Sequence, residues 1–390
     1  MKKVTAPFPK YPIISESEVL KANQAIYGSR KIDKYYQEGM TNFEERLAEY
    51  LEVKYAFATN SGYSAIVLAL LSANIKEGDE VILPAISWGQ TLSPIAHIGA
   101  KPVFADIDPS TLQISLEEIK KSYTSRTKAV LAVNLYGASP ELSKIKSFCE
   151  SKDILLIEDS AQSMGCSYNN KYTSTYGDIG ALSFNAEKLL AVGGSGAIVT
   201  DSKDLYERII YFGSKSLHKR HILQNTDYDL TDQLDYTFLC HPLLQEICSN
   251  KLNEINELND QRRENVKFLR EEVSDIKHID LQKINEGSDL PLYMFTFTNK
   301  LPINQKLLFK MLKRCNLPIF AYNPVPLNKM TSKRFSWAYD YEYKGCENAE
   351  YLSKNEVCIT SYKWYSTEKD YLRQYSDVLH FVYEEIEKRV

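Results

Sequence analysis

Long apolar runs are missing from this 390-residue chain. No stretch reaches the roughly 18 residues needed to cross a bilayer, and the basic start Met1–Lys10 lacks the apolar segment of a secretory signal. Cysteine is sparse and unpaired: seven residues, an odd number, with no C-x-x-C spacing, which favours reduced thiols in a cytoplasmic protein over a disulfide framework. Six dispersed histidines offer no metal-ligand spacing, so no metal site is expected. No long basic run breaks the balance of 47 Lys plus Arg against 51 Asp plus Glu, and the net charge of −4 directs the chain neither to nucleic acid nor to an anionic membrane. Internal repeats and low-complexity tracts are absent too.

What is present is a large apolar content, 44%, in a chain longer than the roughly 250–300 residues at which single cores stop growing, so two domains are expected. Residues 1–40 read as an irregular, partly helical arm. From Phe43 to Glu158, short apolar strands alternate with helical patterns: strands at Tyr55–Thr59, Val81–Pro84, Pro102–Asp106, Ala129–Val133 and Ile154–Glu158, with helices between them. That alternation predicts an α/β domain with a mostly parallel sheet covered on both faces, and in such sheets ligands sit beyond the carboxyl ends of the strands. After Asp201 the pattern changes. A long helix is predicted from about Leu243 to Val273, leading into a smaller C-terminal α+β domain with strand candidates at Tyr293–Phe297 and around Ile359. The expected division is 1–240 and 241–390.

The chemistry-bearing positions fall just after strands. The stretch Ala181–Phe184 is an apolar strand, Asn185–Lys188 a polar turn, and Gly193–Gly196 a glycine-rich loop before a further apolar strand. Upstream, the strand Leu155–Glu158 ends at Asp159. A lysine and an aspartate at two neighbouring strand ends are what a pyridoxal 5'-phosphate (PLP) enzyme needs: Lys188 for the Schiff base, Asp159 to keep the pyridine nitrogen protonated. Gln162 is placed to reach the cofactor's phenolic oxygen. Ser61-Gly62-Tyr63-Ser64 opens a helix with small residues, a ready phosphate site, to which Ser183 adds a hydroxyl. Trp88, at another strand end, is a candidate platform for the pyridine ring. Asn134-Leu135-Tyr136-Gly137 reads either as a contact to cofactor or substrate or as a plain turn.

Taken in order, these segments resemble the sugar aminotransferases of the DegT/StrS type. The resemblance rests on Phe43-Glu44-x-x-Leu47-Ala48, Asn60-Ser61-Gly62, Gly78–Pro84, Gly99–Phe104, Asp106-Ile107-Asp108-Pro109, Leu135-Tyr136-Gly137, Glu158-Asp159-x-Ala161-Gln162 and Ser183-Phe184-x-x-x-Lys188, and it runs over about residues 12–200. It implies a fold-type I PLP enzyme with a seven-stranded, mostly parallel sheet, moving an amino group from L-glutamate to a keto-sugar, usually nucleotide-linked. Position by position it implies Lys188 as the Schiff-base lysine, Asp159 and Gln162 as ring partners, Trp88 as the stacking aromatic, and Gly62, Tyr63 and Ser183 as phosphate ligands. It further implies a homodimer whose partner subunit supplies an Asn-x-Arg segment to the phosphate. Here Thr237 stands at the Asn and Leu239 at the Arg. Tyr136 and Tyr322, the latter opening Tyr322–Leu327, match substrate-binding positions. Tyr63 stands where the family usually has Thr or Ser, and Gly193-Gly194-Ser195-Gly196 stands where the family often has Gly-Glu-Gly-Gly or Gly-Asp-Gly-Gly. Related dehydratases carry His where this chain has Lys188. The competing readings are another PLP-dependent reaction (elimination, dehydration or cyclisation), a PLP-binding homologue without turnover, and a structural protein without cofactor.

Overall fold

Strands that are apolar at every position can be stable only where both faces are covered, and the chain meets that condition in its central sheet. The structure, a computed structural model, describes residues 2–5, 14–27, 42–213, 220–223, 226–228, 236–303, 305–317, 326–330, 345–360 and 369–388. The sheet is built from β1 (Tyr55–Thr59), β2 (Glu80–Pro84), β3 (Lys101–Ala105), β4 (Thr127–Val133), β5 (Leu155–Asp159), β8 (Ile179–Ser183) and β9 (Gly196–Thr200); a small hairpin, β6 (Ser167–Tyr168) and β7 (Lys171–Tyr172), stands apart. The order is β1-β9-β8-β5-β4-β2-β3. β9 pairs antiparallel with both β1 and β8, and every other pairing is parallel, so six strands point one way and β9 alone returns.

The period of two along each strand sorts side chains between layers. Val81, Leu83, Ala129 and Leu131 enter one core together with Ile66, Leu68 and Ile95, from α3 (Gly62–Ser72) and α4 (Gly89–His97), and Ile209 from α7 (Lys203–Gly213). Ile82, Val130 and Leu156 enter the opposite layer beside Ile119 of α5 (Leu116–Ser122) and Leu142, Ile145 and Cys149 of α6 (Leu142–Ser151). α3 is apolar nearly all round because it is enclosed: Ser64 to Leu70 are all buried. A third core gathers Phe43 and Leu47 of α2 (Asn42–Leu51), Ala22 of α1 (Glu16–Tyr27), Phe184, and Ile247 and Cys248 of α8 (Pro242–Lys251).

Beyond the sheet, the expected single helix over 243–273 is two. α8 stops at Lys251, and α9 (Ile255–Glu272) starts after a turn. Leu252 and Ile255, on either side of the break, and Val266 join the large core, whereas Leu269 and Val273 join the C-terminal one, so the change of core falls within α9. That second core packs α9, α10 (Gln305–Arg314) and α12 (Lys369–Glu387) on an antiparallel sheet of β10 (Ile279–Leu281), β11 (Met294–Asn299) and β12 (Glu356–Thr360), the last preceded by α11 (Glu347–Asn355). Val4 also belongs to it, its N–H donating to Cys315 O over 2.9 Å, so the first described residues pack with the C-terminal core. Among the described residues no helix is long and apolar enough to cross a membrane, no cluster of metal-ligating side chains occurs, and six buried cysteines form no disulfide.

Candidate active site

Five strand ends meet around one cavity of about 580 Å³. The loop leaving β8 is tied at its root, where Phe184 N–H donates to Ser195 O (2.9 Å) and Val192 N–H to Phe184 O (3.0 Å). Leu189, Leu190 and Val192 are buried in the large core. Those apolar residues anchor the loop, and Lys188, immediately before them, lines the cavity. Its side chain is half-buried, yet desolvation around the amine holds the pKa down at about 8, against the opposing charges of Asp159 and Glu187. Lys188 Nζ lies 4.7 Å from the centroid of the Tyr293 ring, a cation–π arrangement.

Asp159, the last residue of β5, is buried and faces Lys188 across the cavity. Thr91 Oγ1 donates to its Oδ2 (2.7 Å) and Ala161 N–H to its Oδ1 (3.2 Å); Thr91 in turn shares a hydrogen bond with Ser87 (2.8 Å). Burial pushes the Asp159 carboxyl up from the ordinary aspartate value, against these donors and the charge of Lys188. A carboxylate so placed gains from a cation brought beside it. The neighbouring Glu158 points away, as strand alternation requires. It accepts from Asn134 Nδ2 and from the N–H groups of Ser174, Tyr176 and Gly177 at 2.7–3.0 Å, so it organises a loop.

The third wall is the start of α3. Ser61 caps it, accepting from Ser64 N–H (3.1 Å). The amides of Gly62 and Tyr63 therefore lie in a first turn that has no internal acceptor for them, beside the Ser183 hydroxyl. A Cβ on Gly62 would sit 2.6 Å from Ser183 Cβ, and one on Gly196 2.6 Å from Gly62 N. Only glycine allows these three segments to come together. The Tyr63 hydroxyl turns outward to His97 Nδ1. Trp88, 47% exposed, caps α4 and closes another side.

A helix start offering amides to an anion, a buried carboxylate and a desolvated amine around one cavity is the donor set of a PLP site. The sequence profile of the DegT/DnrJ/EryC1/StrS aminotransferase family matches residues 14–372. The chain belongs to this family. It is 38% identical to a GDP-perosamine synthase of Escherichia coli O157:H7 over 175 residues, 45% of this chain and 48% of that protein. To a GDP-4-keto-6-deoxy-D-mannose 3-dehydratase of Yersinia pseudotuberculosis it is 29% identical over 385 residues, covering 93% of this chain and 96% of that one. An aminotransferase structure from Psychrobacter cryohalolentis superposes with a TM-score of 0.83 at 21% identity, over 98% of this chain and all of that one. The E. coli 3-dehydratase with bound hydrated PLP gives 0.81 at 25% identity, over 96% and 100%. The family is PLP-dependent, and PLP is the cofactor. The residues present fit it: Gly62, Tyr63 and Ser183 suit the phosphate, Asp159 the ring nitrogen, and Lys188 the aldehyde carbon.

The structure brings Lys188, Asp159, Gln162, Ser183, Trp88, Gly62 and Tyr63 to the cavity together. It does not bring Tyr136 there. Tyr136 is 1% exposed in a left-handed turn (φ 63°); its N–H donates to Gln162 Oε1 (2.7 Å) and its carbonyl accepts from Tyr293 N–H (2.9 Å). Its backbone seats two cavity residues, Gln162 and Tyr293. Asn134, of the same segment, is spent on Glu158 and Ser160. Thr237 is exposed and outside this chain's cavity, its carbonyl accepting from Asn60 Nδ2 (3.4 Å). Tyr322 lies outside the described residues. Sequence reasoning missed Thr91 and Tyr293. Thr91 is signalled weakly, one helical turn after Trp88. Tyr293 has no local signal, since only the tertiary fold brings it to Lys188.

Proposed function

We propose that this chain takes an amino group from an amino acid, L-glutamate, and delivers it to a keto-sugar carried on a nucleotide, in the building of surface polysaccharides or secondary metabolites. The observation that carries the reading is a desolvated amine, Lys188, facing a buried carboxylate, Asp159, across a cavity whose far wall offers helix-start amides. PLP, when bound, supplies an electron sink for the charge left as a proton leaves carbon. Lys188, with its pKa near 8, is partly neutral around neutral pH, so Nζ can take the proton from the donor's α-carbon and give it back on the other side of the exchange. Asp159, held by Thr91 and Ala161, keeps a positive charge in place at the ring nitrogen. Because Gln162 Oε1 accepts from Tyr136 N–H, its Nε2 is the end that donates to a bound oxygen. Trp88 shields one face from water. In the same reading the chain works as a cytoplasmic homodimer, and the exposure of Thr237 supports its facing a partner subunit's phosphate.

Dehydration of a keto-sugar is the second reading, favoured by the near full-length similarity to 3-dehydratases. Lys188 weighs against it, because a primary amine can hold the cofactor covalently and be displaced by an incoming amino group. The purified protein is loaded with PLP, its visible spectrum is recorded, and L-glutamate is added. Bleaching of the yellow band, absent in Lys188→Ala, is the expected result. Supplying GDP-4-keto-6-deoxy-D-mannose and reading the product by mass spectrometry then separates an amine from a deoxy-ketone. A yellow protein unmoved by glutamate, or a deoxy product, would refute the proposal.

A further inference from the structure

We infer that Arg262 and Asn259, on α9, are positioning residues that clip together the two loops carrying the reacting groups. Neither touches the cavity, and both are buried, Asn259 at 0% and Arg262 at 1% exposure. They lie three residues apart, on one face of the helix, and the guanidinium donates to Asn259 Oδ1 through Nη1. Each then reaches a different loop. Arg262 Nη2 donates to the carbonyl of Leu189 over 2.9 Å, one residue past Lys188. Asn259 Nδ2 donates to the carbonyl of Met164 over 3.0 Å, two residues past Gln162. The close approach is built in: at Gly165 (φ 73°) a Cβ would meet Asn259 Nδ2 at 2.6 Å. A single side-chain pair therefore spans the Lys188 loop and the Asp159–Gln162 loop, and sets one against the other.

Placing a long cation there is costly, and apolar packing alone would hold a helix against these loops without it. What the clip adds is direction: two charge-assisted or amide bonds to named carbonyls fix the loops along two axes, where apolar contacts are indifferent to sliding. The inference rests on Lys188 being the reacting amine, and its test needs no turnover, so a failure of the aminotransferase reading and a failure of the clip are read separately.

In the cofactor-free protein, labelling of Lys188 by an amine-reactive reagent is followed against pH by mass spectrometry. The groups facing its amine are Asp159 from β5, Glu187 from its own loop and Tyr293 from the segment before β11. The variants are Arg262→Lys, which keeps the charge but not the fork, and Asn259→Ser, which shortens the bridge. Val266→Ala, on the same helix and in the same core, is a destabilising control whose side chain makes no hydrogen bond to either loop. With the clip loosened, water reaches the Lys188 amine, and the labelling midpoint is expected to rise by about one pH unit or more in both clip variants while staying put in Val266→Ala. Arg262→Lys read alone decides the matter if Asn259→Ser does not fold. Midpoints equal to the unmodified protein, or moved equally by Val266→Ala, would overturn the clip.

Discussion

Replacing Gly62 with alanine puts the phosphate wall under a load that can be worked out from the structure. The added Cβ lies 2.6 Å from Ser183 Cβ and 3.1 Å from Ser183 Oγ, against about 3.5–4.0 Å for an unstrained carbon contact. Something must therefore move by roughly 1 Å. Ser183 cannot easily do so, because it ends β8 in register with Gly196 of β9. The displacement falls on the start of α3 and on the two amides offered there. Overpacking of this kind costs about 1–3 kcal/mol of stability. A hydrogen bond to a charged acceptor is worth about 1.5–3 kcal/mol, so losing one weakens PLP binding about 10- to 100-fold. The assay is a titration of cofactor-free Gly62→Ala with PLP, followed by absorbance, with a thermal melt to confirm folding. Gly194→Ala is the control: it lines the same cavity, but its Cβ meets nothing within 4 Å. Equal affinity in Gly62→Ala and the unmodified protein would refute the assignment of this wall to the phosphate.

Two further outcomes follow from buried charge. Lys188 has a folded pKa of about 8 against 10.5 when free, so at neutral pH its protonated form burdens the fold; that cost is full below pH 8 and vanishes as pH rises through 10.5. Lys188→Met is therefore expected to raise the melting temperature of the cofactor-free protein at pH 7, with the gain shrinking toward pH 10.5, as calorimetry at several pH values would show. Glu158→Gln presents an amide NH2 to a ring of four donors and should lower stability by about 1–3 kcal/mol in urea unfolding; an unchanged midpoint would contradict that network.

Much of the site was legible because its parts are local. Lys188, Asp159 and the Ser61–Ser64 turn each follow an apolar strand, and the carboxyl ends of such strands converge by topology alone. The same locality explains the alternation of Glu158 to the far side. Tyr136 stayed open between a ligand contact and a plain turn because a residue between a buried strand and a glycine looks the same whether its ring faces a ligand or the core; the fold buries it at a positive φ. Thr91, Tyr293, Arg262 and Asn259 act through contacts distant in sequence, to which no periodicity points. The helix over 243–273 was read as continuous because its polar-rich pattern does not reveal the turn between Lys251 and Ile255, which lies within one core.

The sharing of α9 between two cores has a consequence for how such a protein can change. A segment cut at residue 240 would take the strand ends and Lys188 but leave behind α8 and α9, and with them Ile247, Cys248, Leu252, Ile255 and Val266 of the large core. The remainder would carry α9 with its inward side bare. The catalytic half is thus not a portable cassette: exchange of whole halves between relatives would break a core on both sides of the junction. New acceptors are open to this scaffold chiefly through point changes and loop replacement around the cavity mouth, with α9 inherited intact.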